Sequence, residues 1–178
     1  MKLIVALLFA GTLAFPGRSS AATLPDACGN DGTTFDVKTT KGQPPPAPPG
    51  AESAQIVFIE EFDPSPGFCI GCEVTTRVGV DGKWVGANHG NSYFAYTVAP
   101  GEHHVCADWQ SALGRLRQKV GLASLNAEAG KVYYFGIKVR IRQYESVTEQ
   151  DLNVAALDED EGKYRVKSSA VAAATAKK

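Results

Sequence analysis

Apolar and polar residues alternate along several short stretches of the chain, with the period of two that predicts half-buried β-strands. The longest alternation covers residues 133–142, and a shorter one covers residues 74–80. The stretches 94–98 and 103–109 alternate in the same way. We expect their inward positions to form the core, which would contain Val78, Val80, Phe94, Tyr96, Val105, Trp109, Phe135, Ile137 and Val139.

Pairs of turn-forming residues separate these stretches. Asp81-Gly82, Pro100-Gly101 and Ala129-Gly130 each lie between runs of β-branched and aromatic residues, which is the usual signature of β-hairpins. The glycine-rich segment 86–91 is interpreted as a further hairpin loop, because the helix that a phosphate-binding loop requires does not follow it. The pattern predicts an all-β protein, a small antiparallel β-sandwich.

The remaining elements are predicted from shorter signals. The continuous apolar run 56–59 is typical of a strand buried on both faces, and Leu152, Val154 and Ala156 indicate a closing strand. Residues 158–161 are all acidic and favour the start of a short C-terminal helix, since acids stabilise the positive end of a helix. The Ala- and Lys-rich tail after Ser168 is expected to be frayed.

The domain organisation follows from composition. Residues 1–22 have a basic start, an apolar run and small residues before the expected cleavage point, the pattern of a secretory signal peptide. Residues 23–53 form a polar lead-in, in which five prolines between residues 44 and 49 predict a stiff polyproline spacer or, alternatively, a ligand for an aromatic-lined groove. Residues 54–167 are the β-sandwich domain, and 168–178 a flexible tail.

Charge and hydropathy narrow the environment. Removal of the leader takes away Lys2 and Arg18, which leaves 16 of the 18 basic side chains against 19 acidic ones. A mature charge of −3 argues against nucleic acid as a partner. No other segment could cross a membrane, and residues 24–28 do not have the lipobox that a lipid anchor needs. We expect an exported protein, either periplasmic or extracellular.

Four cysteines, Cys28, Cys69, Cys72 and Cys106, lie in the mature part. An even number in an exported chain is normally paired as disulfides. Strand alternation favours Cys28–Cys106 with Cys69–Cys72; the alternative divides Cys69 and Cys72 between the other two. The Cys-x-x-Cys spacing also allows a thiol–disulfide oxidoreductase, although no helix follows to activate the thiol, and a four-cysteine zinc site is a third interpretation.

Other candidate chemistry is weaker. His89, His103, His104 and Cys106 could suggest a metal site, but adjacent histidines on a strand point to opposite faces. Neither a Gly-x-Ser-x-Gly elbow nor a triad order is present. We therefore predict no metal, no cofactor and no catalytic residues.

The order of Val80-Asp81-Gly82, Tyr93-Phe94, Pro100-Gly101-Glu102-His103 and Ala129-Gly130-Lys131-Val132-Tyr133-Tyr134, with an acidic stretch before Gly162, resembles a bacterial family known as a domain of unknown function. That family is related to the small PEGA-type β-sandwich domains of exported proteins and lipoproteins. The resemblance covers residues 54–165. It implies a PEGA-like or transthyretin-like sandwich and no established catalysis.

A basic patch is the last candidate site. If the chain before Ala129-Gly130 is the hairpin neighbour of the strand that carries Lys138, six basic side chains would share one outer face, and these are Arg115, Arg117, Lys119, Lys138, Arg140 and Arg142. Such a patch could dock an anionic envelope component, or its charges could face water or be neutralised by residues 158–161. The function that we expect is a disulfide-stabilised binding or structural module for an unknown envelope or protein partner; the alternative is a small-ligand carrier.

Overall fold

A computed structural model describes residues 24–30, 32–64, 74–110, 119–144 and 147–177, which form ten β-strands and one short helix. The elements in chain order are β1 (Thr34–Thr40), β2 (Ala54–Pro64), β3 (Thr75–Val80), β4 (Lys83–His89), β5 (Ser92–Val98), β6 (Gly101–Gln110), β7 (Val120–Ala127), β8 (Val132–Tyr144), β9 (Val147–Leu157), α1 (Glu159–Ser168) and β10 (Ala170–Lys177).

The strands form two sheets. The six-stranded sheet has the order β1-β10-β5-β2-β8-β9, and the four-stranded sheet has the order β4-β3-β6-β7. Most neighbours are antiparallel, but β10 pairs with β5, and β2 with β8, in parallel. The all-β sandwich architecture is thus confirmed, with two parallel pairings that the sequence pattern does not predict.

The core lies between the two sheets. Phe58, Phe135 and Ile137 of the six-stranded sheet are buried with Val78 and Val105 of the four-stranded sheet. The other predicted core residues either belong to the same buried cluster or pack against it. The predicted inward face of each strand is therefore confirmed.

Of the predicted turns, only Asp81-Gly82 joins two paired strands. Both residues have positive φ, 50° and 80°, as a type I′ turn requires, and β3 pairs with β4 across them. Pro100-Gly101 and Ala129-Gly130 instead carry the chain from one sheet to the other, because β5 and β8 are in the six-stranded sheet and β6 and β7 are in the four-stranded one. The segment 86–91 likewise leads from β4 to β5, so its interpretation as a hairpin loop is wrong.

The two ends of the described chain meet in the six-stranded sheet. The lead-in contains one strand, β1, which pairs along its whole length with β10. The expectation of a frayed tail after Ser168 differs from the structure, in which Ala170 and Ala172 are buried. Sheet pairing supplies here the order that an alanine-rich composition does not suggest by itself.

The first part of the lead-in, which precedes β1, covers the outer face of the four-stranded sheet. Cys28 and Cys106 are joined by a disulfide with a Cα–Cα distance of 5.1 Å, as the alternation of β6 predicts. The Trp84 indole donates a hydrogen bond of 2.7 Å to the carbonyl of Asn30. These contacts hold residues 24–30 and 32–33 against β3, β4 and β6, and position the start of β1.

Candidate functional site

The outer face of the six-stranded sheet is apolar near its centre. Val57 and Ile59 of β2 and Tyr93 of β5 are buried there together with Val166 of α1. Val132 and Tyr134, from the outward positions of β8, pack against this cluster and remain half-buried. An apolar sheet face of this kind has to be covered by other parts of the chain, and two segments cover it incompletely.

The first cover is α1. Its N-cap is Asp158, whose side chain accepts a hydrogen bond of 2.8 Å from the Glu161 amide, so the predicted acidic start of a short helix is confirmed. The helix lies directly on Tyr134: a Cβ added to Gly162 would come within 2.2 Å of the ring. Glycine is therefore required at this contact, and Lys163, the next residue of α1, lies at the rim of the remaining space.

The second cover is the proline-rich segment, residues 43–49, which we name the strap. Its Pro44 carbonyl accepts a hydrogen bond of 3.2 Å from the Tyr93 hydroxyl, and its Ala47 carbonyl accepts one of 3.0 Å from Gln55 Nε2. Prolines have no amide donor, so a segment of this composition is held through its carbonyls. The strap is thus docked on an aromatic sheet face.

Between the strap and α1 a groove of about 590 Å³ remains open. This volume lies within the range of roughly 300–1,000 Å³ that is usual for small-molecule sites. A second recess, of about 370 Å³, lies on the strap's other side above Tyr93 and Ala95, and Pro46 borders both. The groove is lined by Pro45, Pro46, Pro48, Gln55, Gly130, Lys131, Val132, Tyr134, Glu159, Lys163, Val166 and Lys167.

The charges of the groove are mainly positive. Lys163 donates to Glu159 at 2.5 Å, and this hydrogen bond raises the pKa of the Lys163 ammonium. Lys131 lies 2.8 Å from Glu128, whose carboxylate raises the pKa of Lys131 in the same way. Burial raises the pKa of the Tyr134 hydroxyl, so it stays a protonated donor. The groove therefore presents ammonium and phenol donors above an apolar floor.

The predicted basic patch is only partly assembled in the structure. The carboxyl pKa of Asp63 in β2 is lowered most by the hydrogen bond from Arg142, which is 2.6 Å long. The positive charges of Arg142, Arg140 and Lys138 all lower this pKa as well. Lys119 precedes β7 in the other sheet, and Arg115 and Arg117 lie outside the described residues.

The patch depends on a predicted hairpin between β7 and β8, and this prediction is wrong, because β8 pairs with β2 and β9 rather than with β7. These neighbours place acids beside the basic residues: Asp63 and Asp151 are both in register with Arg140. Docking of an anion at this patch stays a prediction, with its counter-charge now supplied from within the sheet.

The disulfide lies beside a buried ion pair on the other sheet. Arg77 of β3 pairs with Asp108 of β6, stacks over the Trp84 ring at 4.5 Å from its centroid, and donates to the Thr33 carbonyl at 2.6 Å. This cluster has a structural role, since the lead-in closes it off from solvent. Cys69 and Cys72 lie outside the described residues, and neither their pairing nor their redox role is tested.

The histidines do not converge. His103 of β6 contacts the β3–β4 turn: its Nδ1 is 2.7 Å from an Asp81 carboxylate oxygen, and its Nε2 is 2.8 Å from the Ala99 carbonyl. His104 is largely exposed, and His89 contacts Thr75. Among the described residues, no group of three or more His, Cys, Asp or Glu could hold a metal ion.

Sequence reasoning does not single out the groove residues. The proline run predicts a spacer or, alternatively, a ligand for an aromatic-lined groove, and the alternation of residues 133–142 places Tyr134 on the outward face. Two signals were present: the four-residue spacing of Lys163 and Lys167, which places both on one side of a helix, and an aromatic residue on the outward face of β8.

No family model, no curated protein and no solved structure matches the chain. Within the described ranges, no helix has both the length and the apolar character that a bilayer crossing demands. The groove and the two covered sheet faces therefore have to be interpreted from their own chemistry.

Proposed function

We propose that the protein is an exported, disulfide-stabilised β-sandwich module that acts by binding at or outside the cell envelope, and that the groove beside the strap is its binding surface. The observation that carries the proposal is the incomplete cover of an apolar sheet face. A face with only a scaffolding role would be sealed or polar, whereas this one keeps a space of about 590 Å³ with convergent polar groups. This favours the small-ligand form of the binding function.

Export is supported by the disulfide and by the leader-like first 22 residues. The Cys28 and Cys106 side chains are 5% and 0% exposed, and a buried disulfide of this kind persists in oxidising compartments such as the periplasm. The proposed relationship to PEGA-type domains of exported bacterial proteins agrees with this location. The module would therefore meet its ligand outside the cytoplasm.

The test is to express the full chain in a bacterial host and recover it by fractionation. We expect the mature form, cleaved near Ala22, in the periplasm or medium with Cys28 bonded to Cys106. Protein retained in the cytoplasm with free thiols at these positions would contradict the export proposal.

Native mass spectrometry of that mature protein tests the groove. Val132→Trp would fill the groove from its half-buried floor, and the matched control Leu122→Trp lies on the other sheet, where Leu122 is 53% exposed. We expect a retained ligand in the wild type and in the control but not in Val132→Trp. Absence of any retained mass, or the same mass in all three, would contradict binding in the groove.

A further inference from the structure

We infer that the groove binds a free single-chain amphipathic anion, with its apolar chain on the sheet face and its anionic head at Lys163, Lys167 and the Tyr134 hydroxyl. The inference rests on the proposed function and names the ligand class of that same site. It follows from the charge of the lining and from the apolar character of the wall and floor.

The lining contains three lysines and one glutamate, and Glu128 beside it pairs with Lys131, so the formal charge is +2 for the lining and +1 with Glu128 included, although the mature chain has an excess of acids. Lys167 makes no ion pair with any residue that the structure describes, and it is exposed at the rim. Lys163 and Lys167 are four residues apart and project from the same side of α1. An anion at this point would contact Lys167 directly and would compete with Glu159 for Lys163.

The Tyr134 hydroxyl supplies a third donor at the same end of the groove. Tyr134 lines the groove together with Lys163 and Glu159. Within the described part of the chain its hydroxyl has no hydrogen-bond partner, although its ring is fixed beneath Gly162. A fixed donor without a partner is the kind of group that orients a ligand.

The rest of the groove suits a hydrocarbon chain. Pro45, Pro46 and Pro48 form one wall, and Val132 and Val166 contribute to the floor. The second recess, above Tyr93 and Ala95, is a separate space on the strap's other side. A groove with an apolar wall and floor and with donors in its lining fits an amphiphile better than a compact polar anion, which would leave the apolar walls exposed to water.

Calorimetric titration of the mature full chain with decanoate, decyltrimethylammonium and acetate tests this ligand class, in about 50 mM salt where charge contacts are little screened. Both ten-carbon probes are kept below their micelle-forming concentrations. We expect one decanoate per chain, bound about tenfold more tightly than decyltrimethylammonium, and no saturable binding of acetate. Equal affinity for the two ten-carbon probes, or no saturable decanoate binding, would overturn the inference.

Three variants locate the head group. Lys163→Gln with Lys167→Gln removes two charge contacts and should weaken decanoate about fivefold to tenfold. Tyr134→Phe keeps the ring and should weaken it about threefold. The control Lys38→Gln removes an exposed charge from β1, outside the groove lining, and should bind as the wild type does. An unchanged affinity in the double lysine variant, or the same loss in Lys38→Gln, would overturn the assigned head-group site.

Failure here is distinguishable from failure of the proposed function. A ligand retained by the wild type and lost in Val132→Trp, together with no decanoate binding, would leave the groove as the binding site and reject only the amphipathic anion. Decanoate binding that Val132→Trp does not affect would reject the groove itself.

Discussion

The outer face of the four-stranded sheet and that of the six-stranded sheet are both covered by segments from outside their own sheet, but with different chemistry. On the four-stranded sheet, the lead-in covers an ion pair and is bonded to β6 by a disulfide. On the six-stranded sheet, the strap and α1 cover aliphatic and aromatic side chains. The strap is held there by two hydrogen bonds, and α1 by its close contact with Tyr134, by the buried Val166 and by the ion pair of Arg165 with Glu61 of β2. The first cover is sealed and covalent, and the second leaves a groove.

The difference has a physical cause. Burying Arg77 and Asp108 is tolerated only if their pairing stays intact and water stays out, so that cover has to be fixed in place. An apolar face loses less when part of it is exposed, since the cost grows only with the apolar area in contact with water. We therefore expect stability to depend mainly on the first face and binding on the second.

Removal of the disulfide should have the largest effect. It closes a sequence separation of 78 residues, for which the chain-entropy model gives about 4 kcal/mol. Cys28→Ser combined with Cys106→Ser should lower the free energy of unfolding by about that amount, measured by urea denaturation. Because the groove lies on the opposite sheet, decanoate affinity of the folded fraction should not change. A loss below about 1 kcal/mol would show that the lead-in is held by its other contacts.

Arg77→Met should cause the second-largest loss of unfolding free energy. It leaves Asp108, whose side chain is fully buried, without its main counter-charge, and breaking a buried pair in this way typically costs about 3 kcal/mol or more. The matched control is Arg142→Met, whose pair with Asp63 is 2.6 Å long but partly exposed, so it should cost less than about 1 kcal/mol. Similar losses in the two variants would remove the distinction between sealed and open faces.

The comparison also shows what the sequence can predict. Strand positions and inward faces follow from local alternation, and they were predicted well because burying one side of a strand imposes a period of two. The Cys28–Cys106 bond follows from the same alternation, since it places Cys106 on the outer face of β6. Such features depend on residues that are close together in the chain.

Sheet partners depend on distant residues and were predicted less well. Pro100-Gly101 and Asp81-Gly82 look alike as turn pairs, but a type I′ hairpin needs positive φ at both positions, which the proline ring prevents. That distinction excludes a type I′ turn at Pro100-Gly101, but it does not separate crossovers from hairpins in general, because Ala129-Gly130 has no proline and also leads to the other sheet. Nothing local predicts that β8 lies beside β2, or that the strap folds back onto Tyr93, because both follow from packing of the whole domain.

Gly162→Ala should disturb the packing of α1 on the six-stranded sheet. Alanine is the better helix former by about 1 kcal/mol, but its Cβ would lie 2.2 Å from the Tyr134 ring, which cannot move away cheaply. We expect a net loss of about 2 kcal/mol in unfolding free energy and weaker decanoate binding, because α1 has to shift. Tyr164→Ala, at a position of α1 that is 73% exposed and outside the groove lining, is the control and should change either measurement little. A stabilised Gly162→Ala variant would mean that α1 is not packed on the ring.

The smallest expected effect is the pH dependence of stability that arises from the contact between His103 of β6 and Asp81 in the β3–β4 turn. Burial lowers the pKa of His103, but its hydrogen bonds to the Asp81 carboxylate and the Ala99 carbonyl outweigh this, so the pKa lies above the ordinary 6.5. Both ring nitrogens face acceptors, which only the imidazolium satisfies with two donors. For Asp81, burial raises the carboxyl pKa, and hydrogen bonds from His103 and the His104 amide outweigh it, so the pKa lies below 3.8.

The directions of the two pKa shifts define the pH range in which the contact between His103 and Asp81 stabilises the fold. A raised histidine pKa gives stability that is fully present below about pH 6.5 and is lost as pH rises through the folded value; a lowered aspartate pKa gives stability that is present above about pH 4 and is lost as pH falls. His103→Asn should therefore narrow the difference in unfolding free energy between pH 5.5 and pH 8.5 by up to about 1 kcal/mol. The control His104→Asn, at an exposed neighbour, should leave that difference as in the wild type. The β3–β4 turn is outside the groove lining, so decanoate affinity should change with pH to the same extent in the wild type and in His103→Asn. A pH dependence of decanoate binding that is lost in His103→Asn would show that the two sheet faces are coupled.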